Sequence, residues 1–393
     1  MQTSTVAPSL VRTGYSRIPE LDGVRAIAIW MVMLMHVLEE YPHPKSTSPA
    51  LELIVGHGWL GVDLFFVLSG FLITGILLDA KGKSDYFKTF YARRFFRIMP
   101  LYFAMVAIWS VFYRGYRSYF LLSSVFMANL APTFHIRMPN GPSTLWSLAI
   151  EEQFYLIWPW LVLLVTRRTL ASIATFIIVL EPIIRATYAA HGLHPELIYY
   201  LTWCRCDGLA TGALLALWVR SDSFSRAASH KAALALLAAL VVLTIAGYPF
   251  GLMGTYTVAG TSLRYTQAYL FYAACFVLVL AYQGTFWTVP LRWRVMQISG
   301  ALSYCLYLIH TSVGKVFQHY VGHAMPISIR TMVFRGTVMI SVAFLIAAMS
   351  KRFLEDPCLR LKDRLFPANR WKPLLPTSPE PLDALKESAA SAA

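Results

Sequence analysis

Stretches of about 20 apolar residues recur from one end of this chain to the other, and only a lipid bilayer tolerates so many of them. Of its 393 residues 57% are hydrophobic and 14% are charged, whereas about 25% of a soluble domain is charged. The pattern predicts an all-α, polytopic membrane protein of about ten transmembrane helices. They fall at 21–40, 58–78, 98–113, 146–166, 170–190, 197–219, 232–250, 265–283, 297–319 and 331–349. The third is short. Tyr119–Leu130 behind it is apolar but brief, and reads as a re-entrant or interfacial piece. An eleventh, short crossing there is the alternative, and it inverts everything downstream.

Charge chooses between the two. With ten spans and the N-terminus inside, the inner segments hold Arg12, Arg17 and Arg25, then Lys81, Lys83, Lys88, Arg93, Arg94 and Arg97. They go on to hold Arg167 and Arg168; Arg220, Arg226 and Lys231; Arg292 and Arg294; and the basic residues from Lys351 to Lys386. Loops rich in Lys and Arg stay cytoplasmic. The expectation is therefore a protein of the bacterial inner (plasma) membrane with both termini cytoplasmic. Residues 1–20 form an inner segment, 21–352 the membrane core, and 353–393 an inner tail. That tail is largely disordered, its end being rich in Pro, Ala and Ser.

The net charge of +14 follows from this topology and does not indicate nucleic acid. Five cysteines give no pairing framework, and Cys204-x-Cys206 lacks the spacing and partners of a zinc site, so no metal is expected. The first apolar stretch has no small-residue cleavage site after it and reads as an uncleaved span. No internal repeat is visible, which weakens a secondary-transporter reading.

Ionisable residues inside apolar spans are costly, so they mark function or a specific interhelical partner. The first span is apolar from Ala26 to Leu38 except for His36. Arg25 lies eleven residues earlier, three turns plus about 20°, so both share one helix face roughly 16 Å apart. The second span holds Asp63 near its outer end, where it either orients His36 or caps a helix. Its Gly70 and Gly75 offer surfaces for close packing. Arg93, Arg94 and Arg97 fall within about one turn. They suit an anchor on anionic lipid or a clamp on phosphate, since guanidinium groups bind phosphate bidentately. The fourth span carries Glu151 and Glu152, with Ser147 and Tyr155 on the face of Glu151. A carboxylate beside His36 would raise its basicity and fix its tautomer. Arg205 and Asp207 in the sixth span suit an ion pair, and His310 lies deep in the ninth.

These stretches together resemble the acyltransferase-3 family of integral membrane O-acyltransferases, over residues 18–360. The motifs are Leu-Asp-Gly before Arg25-x10-His36, the run Gly61–Ile73, Arg93-Arg-x-x-Arg97-Ile-x-Pro100-x-Tyr102 and Trp146-Ser-Leu-x-x-Glu151-Glu-x-Phe-Tyr155. Arg205-x-Asp207-Gly-Leu and Ser303-Tyr-x-x-Tyr-Leu-x-His310 complete the set. The resemblance implies about ten spans and transfer of an acyl group, often acetyl, from cytoplasmic acyl-CoA to a hydroxyl, commonly on a glycan, at the outer face. It implies His36, Arg25 and Glu151 as the essential catalytic set. Arg93, Arg94, Arg97 and Tyr102 are the implied co-substrate site. Asp63, Glu152, Tyr155, Arg205, Asp207 and His310 are read as supporting residues. The length suits the stand-alone branch, without an extra extracytoplasmic domain.

On this reading His36 is the base that takes the acceptor's proton, with Glu151 in support; a covalent acyl-histidine is the other route. No bound cofactor is expected, acyl-CoA being a co-substrate. Expected partners are membrane lipids and a glycan, lipid-linked sugar or glycosylated metabolite. Two other readings stand beside it: a transporter or flippase for a lipid-linked sugar or anion, and a tailoring acyltransferase for a macrolide-type metabolite.

Overall fold

The computed structural model describes residues 18–39, 56–139, 141–221, 224–322 and 325–366. The expected inner segment up to residue 17, most of the first outer loop and the tail from residue 367 lie outside these residues. Every regular element among the described residues is helical. The helices are α1 (Pro19–Glu39), α2 (Leu60–Ala80), α3 (Tyr86–Phe112), α4 (Arg117–Ser124), α5 (Leu145–Leu164), α6 (Arg167–Ala190) and α7 (Pro195–Tyr200). They continue as α8 (Cys206–Val219), α9 (Arg226–Gly247), α10 (Val258–Ala281), α11 (Arg294–Tyr320), α12 (Ile329–Ser350) and α13 (Asp356–Leu365).

Each apolar stretch thus falls on a helix. Among the described residues six helical segments are long and apolar enough to cross a membrane, those of α2, α3, α6, α9, α10 and α12. The polytopic all-α class follows. The long helices outside that set, α1, α5 and α11, are the ones that bear Arg25 and His36, Glu151 and Glu152, and His310.

Two elements differ from the expected spans. The basic run expected as the inner loop 79–97 is mostly helix, because α3 begins at Tyr86. Tyr86 and Tyr91 donate to the carbonyls of Pro159 (2.9 Å) and Leu156 (3.0 Å) on α5, and this anchors the basic half of α3. Lys81 closes the turn between α2 and α3. Its ammonium donates to the carbonyls of Val162 (2.7 Å) and Val165 (2.6 Å), which the end of α5 leaves without helical partners. The expected sixth span is broken between α7 and α8. The break frees the Cys204 carbonyl, which accepts from buried Arg185 at 2.7 Å.

Helix directions follow from residue pairs. Ser69 meets Glu151 and Thr74 meets Trp158, so α2 and α5 run parallel. Asp63 meets Arg205 and Asp79 meets Arg220, so α2 and α8 are parallel as well. Gly300 packs on Asp22 and His310 on His36, which makes α1 and α11 parallel. A full crossing by Tyr119–Leu130 would turn α5 against α2. That stretch instead forms α4 and a short 3-10 turn, and Gln153 of α5 donates to Phe126 and Asn129 within it.

Glycine makes the α2–α8 packing possible. A Cβ on Gly70 would meet the Leu209 carbonyl, and one on Gly212 would meet the Val67 carbonyl and the Phe71 nitrogen. Without those atoms the two backbones touch, as small residues allow in lipid.

Candidate functional site

The C-terminal turns of α1 and the middle of α11 meet at two histidines. Nε2 of His310 lies 3.3 Å from Nδ1 of His36, with the rings edge to face, 4.9 Å between centroids. His36 Nδ1 is also 2.8 Å from the carbonyl of Val32, and His310 Nδ1 is 3.0 Å from the carbonyl of Leu306. A carbonyl only accepts, so each Nδ1 carries a hydrogen. His310 therefore presents a lone pair at Nε2 to the Nδ1–H of His36. Met33, Val37, Thr311, Met339 and Ile340 line a small pocket around the pair.

A polar column descends from this pair. Tyr307 is one turn below His310, their rings 6.0 Å apart. Its hydroxyl is 2.5 Å from Ser147 on α5, and Ser147 in turn donates to the Thr144 carbonyl. Glu151 is the next turn of α5. Its two oxygens accept from Ser69 at 2.9 Å and from Tyr155 at 3.2 Å. The expected direct hold of Glu151 on the His36 ring is thus replaced: His310 and the Val32 carbonyl take that nitrogen, and Glu151 stands lower.

Below Glu151 the positive groups converge. The Arg94 guanidinium lies over the Tyr155 ring at 4.5 Å. Arg25, Arg94 and Arg97 repel one another across a shared space, and Arg25 and Arg94 both attract Glu151. Glu152 faces Arg94 and Tyr102. Asp22 bonds Arg25 at 3.4 Å. Arg25, Glu151 and Glu152 are half-buried and Arg97 is exposed. Three crowded guanidiniums suit a polyanion.

Other expected site residues go elsewhere. Arg93 turns to the Phe366 carbonyl beyond α13, at 3.4 Å. Tyr102 is buried and donates to the Ser123 carbonyl at 2.8 Å, with its ring stacked on Phe126. It holds the α4 segment on α3. Asp63 does not reach His36; it pairs with Arg205, neither side chain having any exposure. Asp207 accepts from Arg185 (3.0 Å) and Thr266 (2.6 Å), and its backbone N–H donates to Glu181 at 2.9 Å. Glu181 and Arg185 were not singled out from the sequence. The signal was present, since an acid and a base at i and i+4 interrupt the apolar fifth span. The described residues contain no group of three His, Cys, Asp or Glu side chains that could hold a metal ion.

A family model described as an acyltransferase domain matches residues 18–349. The chain is 30% identical to the peptidoglycan O-acetyltransferase OatA of Listeria monocytogenes, over 88% of this chain and 56% of that protein. It is 25% identical to the O-acetyltransferase OatA of Staphylococcus aureus, over 86% of this chain and 57% of that one. It thus spans little more than half the length of these relatives. No solved structure matches the chain.

Proposed function

The chain belongs to the acyltransferase-3 family, and we propose that it moves an acyl group, acetyl in the first instance, from cytoplasmic acyl-CoA to a carbohydrate hydroxyl in the outer half of the membrane. The observation that carries this reading is the division of labour along α1, with three guanidiniums gathered at the Arg25 end and the histidine pair at the other. The names of the relatives, both O-acetyltransferases and one specified for peptidoglycan, favour acetyl as the group and a cell-envelope glycan as the acceptor. The membrane is the bacterial inner membrane, with both termini cytoplasmic.

CoA is a polyanion at one end and a thioester at the tip of a thin arm. Arg25, Arg94 and Arg97 hold its phosphates. The thioester then lies toward His36, about three turns of α1 away. His36 Nε2 removes the acceptor hydroxyl's proton as the oxygen attacks the thioester carbonyl. The C–S bond breaks, the ester C–O bond stands in its place, and the imidazolium returns its proton to the thiolate. Glu151 balances the guanidinium charge.

The test is consumption of acetyl-CoA by the purified chain with a glycan acceptor, paired with mass spectrometry of envelope glycans and secreted metabolites from cells with and without it. A lost acetyl mass on a glycan is expected. An intact thioester in the presence of acceptor overturns the reading, and a lost mass on a metabolite moves the acceptor to the macrolide-type class.

A further inference from the structure

We propose that α13 lies in the plane of the membrane surface and binds anionic phospholipid head groups through Arg352, Arg360 and Arg364, with its exposed leucines in the acyl boundary. On α12, a helix long and apolar enough to cross a membrane, Leu345 and Met349 are exposed one turn apart. Exposed Phe353 continues that lipid-facing row into the turn beyond. This turn, Lys351–Glu355, is π-helical, a common cause of a bend. After it, α13 crosses α3 rather than running beside it. Glu355, just before α13, faces Arg97 of α3. Phe366, just after α13, accepts from Arg93 at 3.4 Å through its carbonyl, and its ring lies 6.4 Å from that of Phe96. The two arginines are one turn of α3 apart, about 6 Å, whereas α13 is about 15 Å long. A helix laid across a spanning helix runs near the membrane plane.

The outward face of α13 has the chemistry of a boundary. Leu361 and Leu365 share one face and leave 46% and 55% of their surface exposed. Arg360 and Arg364 stand exposed along the flank of that strip, one turn apart. Arg352 is exposed on the preceding turn, its guanidinium 5.9 Å from the centre of the Phe353 ring. The lysines of this region are neutralised, Lys351 by Asp356 at 3.2 Å and Lys362 by Asp363 at 3.0 Å. Among the described residues the three arginines form no such pair. Free guanidiniums edging an apolar strip suit a surface that is apolar within and anionic at its rim, and guanidinium groups bind phosphate bidentately. The continuity of the strip with the lipid-facing row of α12 selects a phospholipid over an acidic protein.

The experiment uses the full chain and two readouts, neither of which depends on acyl transfer. The first is native mass spectrometry in neutral detergent with phosphatidylglycerol and phosphatidylcholine supplied in equal amounts. The parent should retain phosphatidylglycerol preferentially. The triple variant Arg352→Gln, Arg360→Gln, Arg364→Gln should lower that preference about tenfold or more. The second readout leaves every arginine in place. The photoreactive residue p-benzoylphenylalanine replaces Leu361 or, separately, Asp363 on the opposite side of the helix, in nanodiscs of the same two lipids. Light should join phosphatidylglycerol to the probe at 361 and leave the probe at 363 free of lipid. An unchanged lipid preference in the triple variant, equal lipid capture at the two positions, or capture of protein at 361 overturns the proposal.

Discussion

Asp63 and Arg205 form an ion pair with no exposed surface on either side chain, and it joins α2 to α8 across 142 residues of sequence. The Arg205 guanidinium lies over the rings of Tyr265 at 4.2 Å and Tyr199 at 4.6 Å. This is a cation held in an aromatic sleeve. The second cluster, Arg185 with Asp207 and Glu181, ties α6 to the start of α8. Asp63, Arg205 and Asp207 lie in stretches that resemble family motifs and Glu181 and Arg185 lie outside them, and the contacts of all five join helices of the bundle.

Removing one partner of the first pair leaves a buried charge without compensation. Asp63→Asn should therefore destabilise the chain by about 3–5 kcal/mol. The double replacement Asp63→Leu with Arg205→Met should cost less than either single change. Thermal unfolding in detergent reads both, and additive losses would contradict the pairing.

At the other end, Arg94→Gln and Arg97→Gln should each weaken acyl-CoA binding about tenfold or more, the loss of a charge-assisted hydrogen bond. Binding to the parent should also fall with added salt more steeply than binding to the double variant. Equilibrium dialysis with labelled acetyl-CoA measures this. Unchanged affinity in the double variant would remove the clamp.

His36→Ala should lower kcat by about 10²–10⁴-fold, the usual worth of a general base, without changing acyl-CoA affinity. A folded variant that transfers acetyl at the parent rate would show that another group takes the proton.

Tyr102 separates motif from contact. Its hydroxyl bonds the Ser123 carbonyl, so Tyr102→Phe should leave acyl-CoA affinity intact and lower stability by about 1 kcal/mol. A fall in affinity with unchanged melting would return Tyr102 to the co-substrate site.

Much of the bundle was legible because lipid imposes a strong rule on sequence: apolar length marks a helix. The face shared by Arg25 and His36 followed from helical periodicity alone. What could not be read was which buried charge meets which. Asp63, Glu151 and Asp207 are alike in sequence as acids in apolar runs, and only the crossing of helices sends one to Arg205, one to Ser69 and Tyr155, and one to Arg185. The helical start of α3 was hidden for a similar reason. Its first turns bury Tyr86 and Phe90, but Lys88, Arg93 and Arg94 mask that face in the sequence, and tyrosine bonds to α5 hold it in place. The break before α8 was hidden because Arg185, which uses it, lies on another helix.

The two imidazoles near the C-terminal end of α1 come from positions 274 residues apart. On a ribosome, the first enters the bilayer when nearly all of its eventual neighbours are still unmade. Its pairing with His310 forms only once α11 has been made. The pocket around the pair, which Met339 and Ile340 help to line, is complete only when α12 has packed there as well.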